Sequence, residues 1–378
     1  MSTGTGGAGE ASVLRVGIVG LGNISGAYLG WLDAHGAAAG LRLTAVADLD
    51  AGRARAVADG RPGVRALSTE ALCADPEVDV VLNLTIPAAH GAVAHAAIAA
   101  GKHVYGEKPL AADRAEAMGV MAAAEKAGVR VGCAPDTVLG RGVQTARAVV
   151  DAGTIGVPTA ATAFMTTAGH ERWHPGPRFY YQPGGGPLLD MGPYYLTALV
   201  HLLGPVVRVM GAGGRGRAER VVGSGPAAGT VFPVEVDTHV TGVLVHESGA
   251  LSTVLMSFDV HAARLPFIEV YGTEGSVSVP DPNTFDGPVE VYGAADREWR
   301  RIPLTHGYLE GGRGLGLADL AAALRDGSRH RASGEVALHV LDIMESLLTA
   351  AEEHSGVALR TTCVRPEPAP TTLGAAPE

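Results

Sequence analysis

The sequence predicts an α/β protein: a doubly wound parallel sheet first, then an α+β domain built on a large, open, mostly antiparallel sheet. Two observations predict it. Up to about residue 134, short β-rich runs alternate with Ala-rich helical patterns, the order expected of a parallel sheet covered on both faces. From 231 to about 302 strand follows strand with period-two alternation, punctuated by polar turns such as Glu247-Ser248-Gly249 and Thr273-Glu274-Gly275. A chain of 378 residues also exceeds what one compact core usually organises, so two domains are expected.

Element by element, the first strand is read at 14–19, with further buried strands at 43–47, 78–84, 103–105 and 129–131. Helical spacing fills the intervals, as at 113–127, and glycines such as Gly101 and Gly128 close the helices. In the second half, strands are expected at 234–246, 251–258, 268–271, 277–279 and 289–292, and helices at 316–324 and 335–353. Domain limits follow at 13–134 and 135–365. The small-residue start, 1–12, and the Pro-rich end, 366–378, are expected to be disordered tails.

Composition narrows the partners. Hydrophobic residues make up 47%, enough for full folding, while the net charge is -10 with no basic block. Nucleic acid and anionic membrane are therefore not expected partners. The opening residues lack the features of a secretory leader, and no apolar run approaches the ~20 residues that span a bilayer. Cys73, Cys133 and Cys363 lie far apart without CxxC spacing, as unpaired thiols of a cytoplasmic protein would.

Gly20-Leu21-Gly22-Asn23-Ile24-Ser25 follows the first strand at once and opens a helical pattern. One glycine makes the tight turn and the next lets the backbone approach a pyrophosphate at the helix N-terminus. The string alone is weak evidence; its place between strand and helix strengthens it. The second strand ends at Asp48, where a dinucleotide fold sets the acid that accepts hydrogen bonds from the adenosine ribose. A carboxylate there repels a 2′-phosphate, so NAD is expected over NADP, although nearby Arg53 keeps NADP in play.

Gly106-Glu107-Lys108-Pro109 follows the fifth strand, at the sheet edge where the nicotinamide end of a cofactor should lie. Lysines are scarce, at 102, 108 and 126, and a buried lysine can exchange protons where arginine cannot. On spacing alone, Lys-Pro reads as a surface loop. Gly184-Gly185-Gly186-Pro187 opens another helical pattern, in which Asp190 and Tyr194 stand four apart on one face. Pro193 is expected to kink or restart that helix.

Together these residues resemble the Gfo/Idh/MocA family of sugar and inositol oxidoreductases. The resemblance rests on Gly20–Ser25 numbered 20–25, Asp48, Thr85-Ile86-Pro87 with His90, Glu107-Lys108-Pro109, and Gly184-Gly185-Gly186 with Asp190 and Gly192. It runs from about Val13 to about Arg365. It implies a Rossmann domain, an open-sheet α/β domain, NAD(P), a carbohydrate-like substrate, and a homodimer or homotetramer joined through the open sheet. Cofactor contacts are then expected from Gly20, Gly22, Asn23, Ile24, Ser25, Asp48, Thr85, Pro87, His90, Glu107 and Lys108. The chain departs from the common pattern twice. Tyr194 stands where a histidine is frequent, and Ala134-Pro135-Asp136-Thr137 lacks a frequent Asn-Arg.

Oxidation needs a base at the hydroxyl while hydride leaves the same carbon. Tyr194 is expected to carry the proton, Lys108 to polarise the reacting oxygen, and Asp190 to act as orienter and hydroxyl acceptor; Lys108 as the base is the close alternative. A substrate pocket is expected from His170, Trp173, His174, Arg178, Tyr180 and Tyr181, together with Asp190 and Tyr194. Aromatic faces stack on sugar C–H surfaces, and His and Arg bind hydroxyls. Packing of a long loop explains the same residues about as well. His201, Asp237 and His239 are weaker candidates that fit structural roles better.

His170-Glu171-Arg172-Trp173-His174 spells HExxH, the zinc-hydrolase string, which needs one uninterrupted helix. Gly169 before it and Pro175-Gly176-Pro177 after it break a helix, so no metal is expected. A non-catalytic NAD(P)-binding regulator on the same fold is the other alternative, since fold does not fix function.

Overall fold

Branched aliphatic runs closed by glycine or a polar cap organise the first sheet, as expected. The protein is represented by a computed structural model that describes residues 13–373. The tail expected at 1–12, and 374–378 of the other, lie outside the described residues.

Six parallel strands form the first sheet: β1 (Leu14–Val19), β2 (Leu41–Ala47), β3 (Arg65–Leu67), β4 (Val80–Asn83), β5 (His103–Gly106) and β6 (Val131–Cys133). Their order is β3-β2-β1-β4-β5-β6, reversing direction between β1 and β4. Helices α1 (Ser25–His35), α2 (Ala51–Asp59), α3 (Thr69–Ala74), α4 (Pro87–Ala99) and α5 (Arg114–Ala127) connect them. Their ends follow from capping chemistry. Asp50 and Asp113 accept backbone N–H groups at the starts of α2 and α5, and Gly128 takes the left-handed conformation that ends α5. The strand read at 129–131 begins at Val131 instead. β3 carries no periodic signal in Arg-Ala-Leu and forms by pairing with β2.

The larger sheet contains β7 (Pro158–Thr166), β8 (Val206–Gly214), β11 (His239–His246), β12 (Leu251–Ser257), β13 (Ile268–Gly272), β14 (Gly275–Val279), β15 (Val289–Gly293), β16 (Trp299–Ile302) and β17 (Gly356–Ala358). Strands β9 (Glu219–Val221) and β10 (Val231–Pro233) pair separately. The large sheet runs β16-β15-β14-β13-β7-β12-β11-β8-β17; β12 and β7 are parallel and the remaining pairs antiparallel. Residues 234–238, expected to begin a strand, are an irregular approach to β11. Their backbone instead reaches Tyr181 and Gly214.

Helices α6 (Arg141–Asp151), α7 (Pro187–Leu203) and α9 (Gly334–Glu353) pack against this sheet, and α8 (Leu315–Asp326) against β6. Ala161, Ala163, Met165, Val254 and Met256 are buried on it, while Thr162, Phe164, Thr253 and Leu255 alternate outward and are half-buried or exposed. Pro193 does not break α7, which runs unbroken from Pro187 to Leu203 because its apolar face is buried along almost its full length. The Pro-rich end also departs from expectation. Ala369 is buried, its N–H donates to Gln144 Oε1 at 2.8 Å, and the Pro368 carbonyl accepts from Arg331.

His339 on α9 makes the fold sensitive to acid. Its Nε2 accepts the Val206 N–H at 3.0 Å, which requires the neutral ring, and burial holds its pKa down to about 4. The unfolded chain binds the proton first, near 6.5, so this contribution to stability is present at neutrality and lost as pH falls toward 4. About 2 kcal/mol should disappear between pH 7 and pH 5. Urea unfolding at both pH values should show it, and His339→Gln should shrink the difference by about that amount, leaving the share of other buried histidines such as His201 and His246. An unchanged difference in that variant would assign the loss elsewhere.

Candidate active site

The carboxyl ends of β1, β2, β4 and β5 meet at one edge of the parallel sheet. Gly20 turns there with φ +94°, and a Cβ would lie 2.7 Å from the Leu84 backbone, so only glycine fits. Space opens beside Gly22, where an added Cβ would meet nothing within 4 Å. Among the described residues no side chain caps α1, whose first residue is Ser25; the Ser25 hydroxyl donates to Gly22 O at 2.7 Å. Asp48 Oδ2 accepts from Leu21 N at 2.7 Å, binding the end of β2 to the glycine turn. Arg53 approaches the same carboxylate at 3.5 Å from the solvent side. Leu49 and Ile86 are exposed beside this edge, apolar surfaces open to a planar base. An open glycine turn, an uncapped helix start, a carboxylate and apolar rims are what a dinucleotide requires.

Thr85 and Pro87 form the loop from β4 into α4, with Pro87 at the first helical position. His90 corrects the expectation of a direct cofactor contact. Its ring is buried, with Nδ1 2.6 Å from Pro109 O and Nε2 3.0 Å from Thr85 O, so it braces two site loops from behind. Glu107 likewise faces inward, accepting the Tyr28 hydroxyl of α1 at 2.8 Å.

Lys108 extends from the turn after β5 to α7. Its Nζ donates to the Asp190 carbonyl at 2.5 Å and to Asp190 Oδ1 at 2.9 Å. Asp190 Oδ2 takes His170 Nε2 at 3.0 Å, so lysine and histidine share one carboxylate. Tyr194 lies one turn further along the same face, its ring centroid 5.4 Å from Lys108 Nζ. Burial alone would discharge Lys108, but the adjoining Asp190 carboxylate and Tyr194 outweigh it and hold the ammonium above its ordinary value. Burial would likewise raise Asp190, yet Lys108 and His170 bring its carboxyl down to about 2.

Two charged groups at this point have no sequence pattern. Arg313, before α8, donates from Nη2 to the Tyr194 hydroxyl at 3.1 Å and from Nη1 to Asp136 at 3.4 Å. Asp136, after β6, is fully buried; burial pushes its carboxyl up, opposed by Arg313 and by the Gly314 and Gly316 N–H groups. The glycine-rich string around Arg313 was the one available signal, and it marks a turn rather than a site.

The aromatic segment divides. His170 stacks against Phe258 and Tyr180 at 4.4 and 4.8 Å between centroids, and Tyr180 lies 4.0 Å from Phe179. Trp173 and Phe179 remain exposed beside it, and burial with Asp190 nearby pushes the Tyr180 phenol up to about 12. Arg178 is exposed on the same short turn, and His174 is half-buried, accepting Gly176 N–H at Nδ1. Tyr181 must be withdrawn from the pocket. It is fully buried against Phe232 and Phe258, with its hydroxyl on Glu171. Its neighbour Tyr180 takes the site-facing position because successive side chains of the 3-10 turn Pro177–Tyr181 point about 120° apart.

The HExxH string folds as a single 3-10 turn, His170–Arg172, so its side chains diverge. His170 goes to Asp190, Glu171 to Arg220 and Tyr181, and His174 to its own loop. Of the weaker candidates, His201 is buried inside α7 and His239 pairs with Ser257 of the neighbouring strand. Asp237 lends its backbone carbonyl to the packing under Gly186.

Comparison with known proteins identifies two matching regions. Residues 14–134 match the oxidoreductase family with an NAD-binding Rossmann fold, and residues 143–278 match the GFO/IDH/MocA C-terminal domain. A dTDP-3,4-didehydro-2,6-dideoxy-alpha-D-glucose 3-reductase of Streptomyces violaceoruber is 30% identical over 70% of this chain and 79% of its own. A 1,5-anhydro-D-fructose reductase of Ensifer adhaerens is 30% identical over 57% of this chain and 61% of its own. The crystal structure of an NAD binding oxidoreductase from Klebsiella pneumoniae superposes with TM-score 0.76 at 26% identity, covering 92% of this chain and 99% of that one.

Proposed function

Since the chain belongs to the Gfo/Idh/MocA oxidoreductase family, we propose that it moves a hydride between NAD(H) and the hydroxyl or carbonyl carbon of a sugar, inositol or sugar derivative. Lys108, Asp190 and Tyr194 act at the reacting oxygen. The observation that carries this reading is Lys108 locked between the carbonyl and carboxylate of Asp190, one helical turn from Tyr194.

Gly20, Gly22, Ser25 and Asp48 would hold the dinucleotide, Thr85 and Pro87 would flank it, and the Asp48 carboxylate favours NAD over NADP. Bound there, the nicotinamide supplies the hydride acceptor for oxidation and the donor for reduction. The protein's own groups manage the oxygen. Two ammonium protons of Lys108 are committed to Asp190, leaving the third for the substrate oxygen, where positive charge steadies a developing alkoxide. Tyr194 takes the hydroxyl proton as the carbonyl forms and returns it in reduction. Asp190 keeps Lys108 charged and aimed, and His170 holds the other carboxylate oxygen. Tyr180, Trp173, His174 and Arg178 offer stacking faces and hydrogen bonds to a polyhydroxylated ring. The outward face of the large sheet, with Phe164 and Leu255 only half-buried, is assigned to self-association as a dimer or tetramer.

A panel of sugars, inositols and glycosides, offered with NAD and then NADP and followed by NADH absorbance, tests the reading. Reduction of NAD by a subset is expected, from a protein whose light-scattering mass is a multiple of the 38.5 kDa chain. Preference for NADP would overturn the assignment of Asp48, and a monomeric mass that of the open face. Tight NADH binding without turnover would favour the regulator. Silence in both turnover and binding would overturn the proposal.

A further inference from the structure

We propose that Arg313 is a positioning residue for Tyr194, directing the phenol proton away from itself and adding a second positive charge at the phenol oxygen. The inference rests on Tyr194 as the proton carrier, as read above. Arg313 lies in Gly311-Gly312-Arg313-Gly314, an arm that reaches back to the first domain. Gly312 and Gly314 have φ +138° and +126°, and a Cβ on either would run into the Trp31 ring of α1. Trp31 Nε1 donates to Glu310 O at 3.2 Å, while Gly314 and Gly316 N–H donate to Asp136 Oδ2 at 2.9 and 3.3 Å. The arm is thus held from two sides, with the guanidinium between the Tyr194 and Phe285 rings, 5.5 and 6.0 Å from their centroids.

A guanidinium only donates hydrogen bonds. Where Arg313 Nη2 meets the Tyr194 oxygen at 3.1 Å, the phenol therefore accepts, and its own proton is left for another acceptor. That acceptor is a substrate oxygen when Tyr194 acts as donor. In the opposite direction the phenolate keeps the Arg313 bond while it receives the hydroxyl proton. Several groups face Tyr194: Lys108 from the turn after β5, Arg313 from the arm, Asp190 from its own helix and Tyr180 from the aromatic segment. Asp136, Glu107 and Tyr28 stand behind Arg313, and Asn283 Oδ1 is 3.5 Å from Nη2. Of these groups, Arg313 is the one that bonds the phenol oxygen directly, Nη2 at 3.1 Å, while Lys108 faces the ring.

Arg313→Met is expected to lower kcat about 10- to 100-fold with little change in KM for NAD, the loss of one charge-assisted bond. Removing a cation from the phenol should move the acid limb of the oxidation profile upward, and Arg313→Lys should restore part of both by returning the charge. A readout without turnover accompanies these: the tyrosinate absorbance that Tyr194→Phe removes should appear at higher pH in Arg313→Met. If that signal and the pH limb both stay in place in a folded Arg313→Met, the proposal is overturned, even where kcat falls. Because the tyrosinate titration needs no substrate, it decides the role of Arg313 even if no sugar is turned over and the functional reading itself fails.

Discussion

Replacing Lys108 with methionine is expected to reduce turnover on the order of 10³-fold while leaving NADH binding nearly intact. The lysine is the charge assigned to the reacting oxygen, and methionine keeps most of its apolar stem without the ammonium. The change removes positive charge where an alkoxide develops, and it leaves the Asp190 carboxylate with His170 as its remaining side-chain partner. Lys108→Arg should not rescue, because a planar fork cannot repeat two bonds to one carbonyl and one carboxylate from a single nitrogen. Steady-state kinetics beside NADH fluorescence titration measure the split. Turnover within about threefold of the parent would remove Lys108 from the mechanism.

The same pair sets a boundary on the pH profile. The Asp190 carboxyl, at about 2, is ionised from about pH 4 upward, and Lys108 is held above its ordinary value. Neither group changes charge between mildly acidic and moderately alkaline pH. An activity limb in that window reports a different group, which is why the Arg313 and Tyr194 variants are read through it.

Arg220→Met is expected to destabilise the fold by about 3–5 kcal/mol, the largest stability loss among these changes. Arg220 is 3% exposed and joins Glu171, at 2.7 Å and itself 5% exposed, to Asp259. Tyr181 donates to the other Glu171 oxygen, Thr238 donates to Asp259 at 2.5 Å, and the guanidinium lies 5.4 Å from the Tyr181 ring centroid. Without Arg220, two inward-facing carboxylates lose their shared cation and must stay charged without it or take up protons. Urea unfolding followed by circular dichroism should read the loss. Phe258, whose carbonyl also accepts from Arg220, packs on His170, so substrate KM should worsen in whatever fraction remains folded. A loss below about 1 kcal/mol would show that water or relaxation compensates the carboxylates.

This network explains why the HExxH string misleads. Glu171 looks like the general base of a metal site only while its neighbours in space are unknown. Arg220 is 49 residues away and carries no motif, yet it draws Glu171 inward and takes Tyr181 with it. His90 is a similar case, since its sequence position beside Thr85-Ile86-Pro87 does not reveal that its ring spans two carbonyls behind the site.

What the sequence determined by itself is local or periodic. The glycine turn, the strand–helix alternation, the capped helices and the Asp190–Tyr194 spacing all depend on residues within about one turn of each other, where backbone geometry dictates the outcome. The strand-rich second half is legible for the same reason, through alternation and hairpin turns, whereas β3, β7 and β8 carry no clear alternation because Arg, Ala, Gly and Thr dilute their pattern. Only the tertiary structure decided which charges meet. Lys108 joins Asp190 across 82 residues, and Arg313 joins Tyr194 across 119. Such pairings depend on how two domains pack, through contacts as indirect as Trp31 against Gly312. No periodicity encodes them, because the burial that makes a charge pair strong comes from the whole fold rather than from either segment.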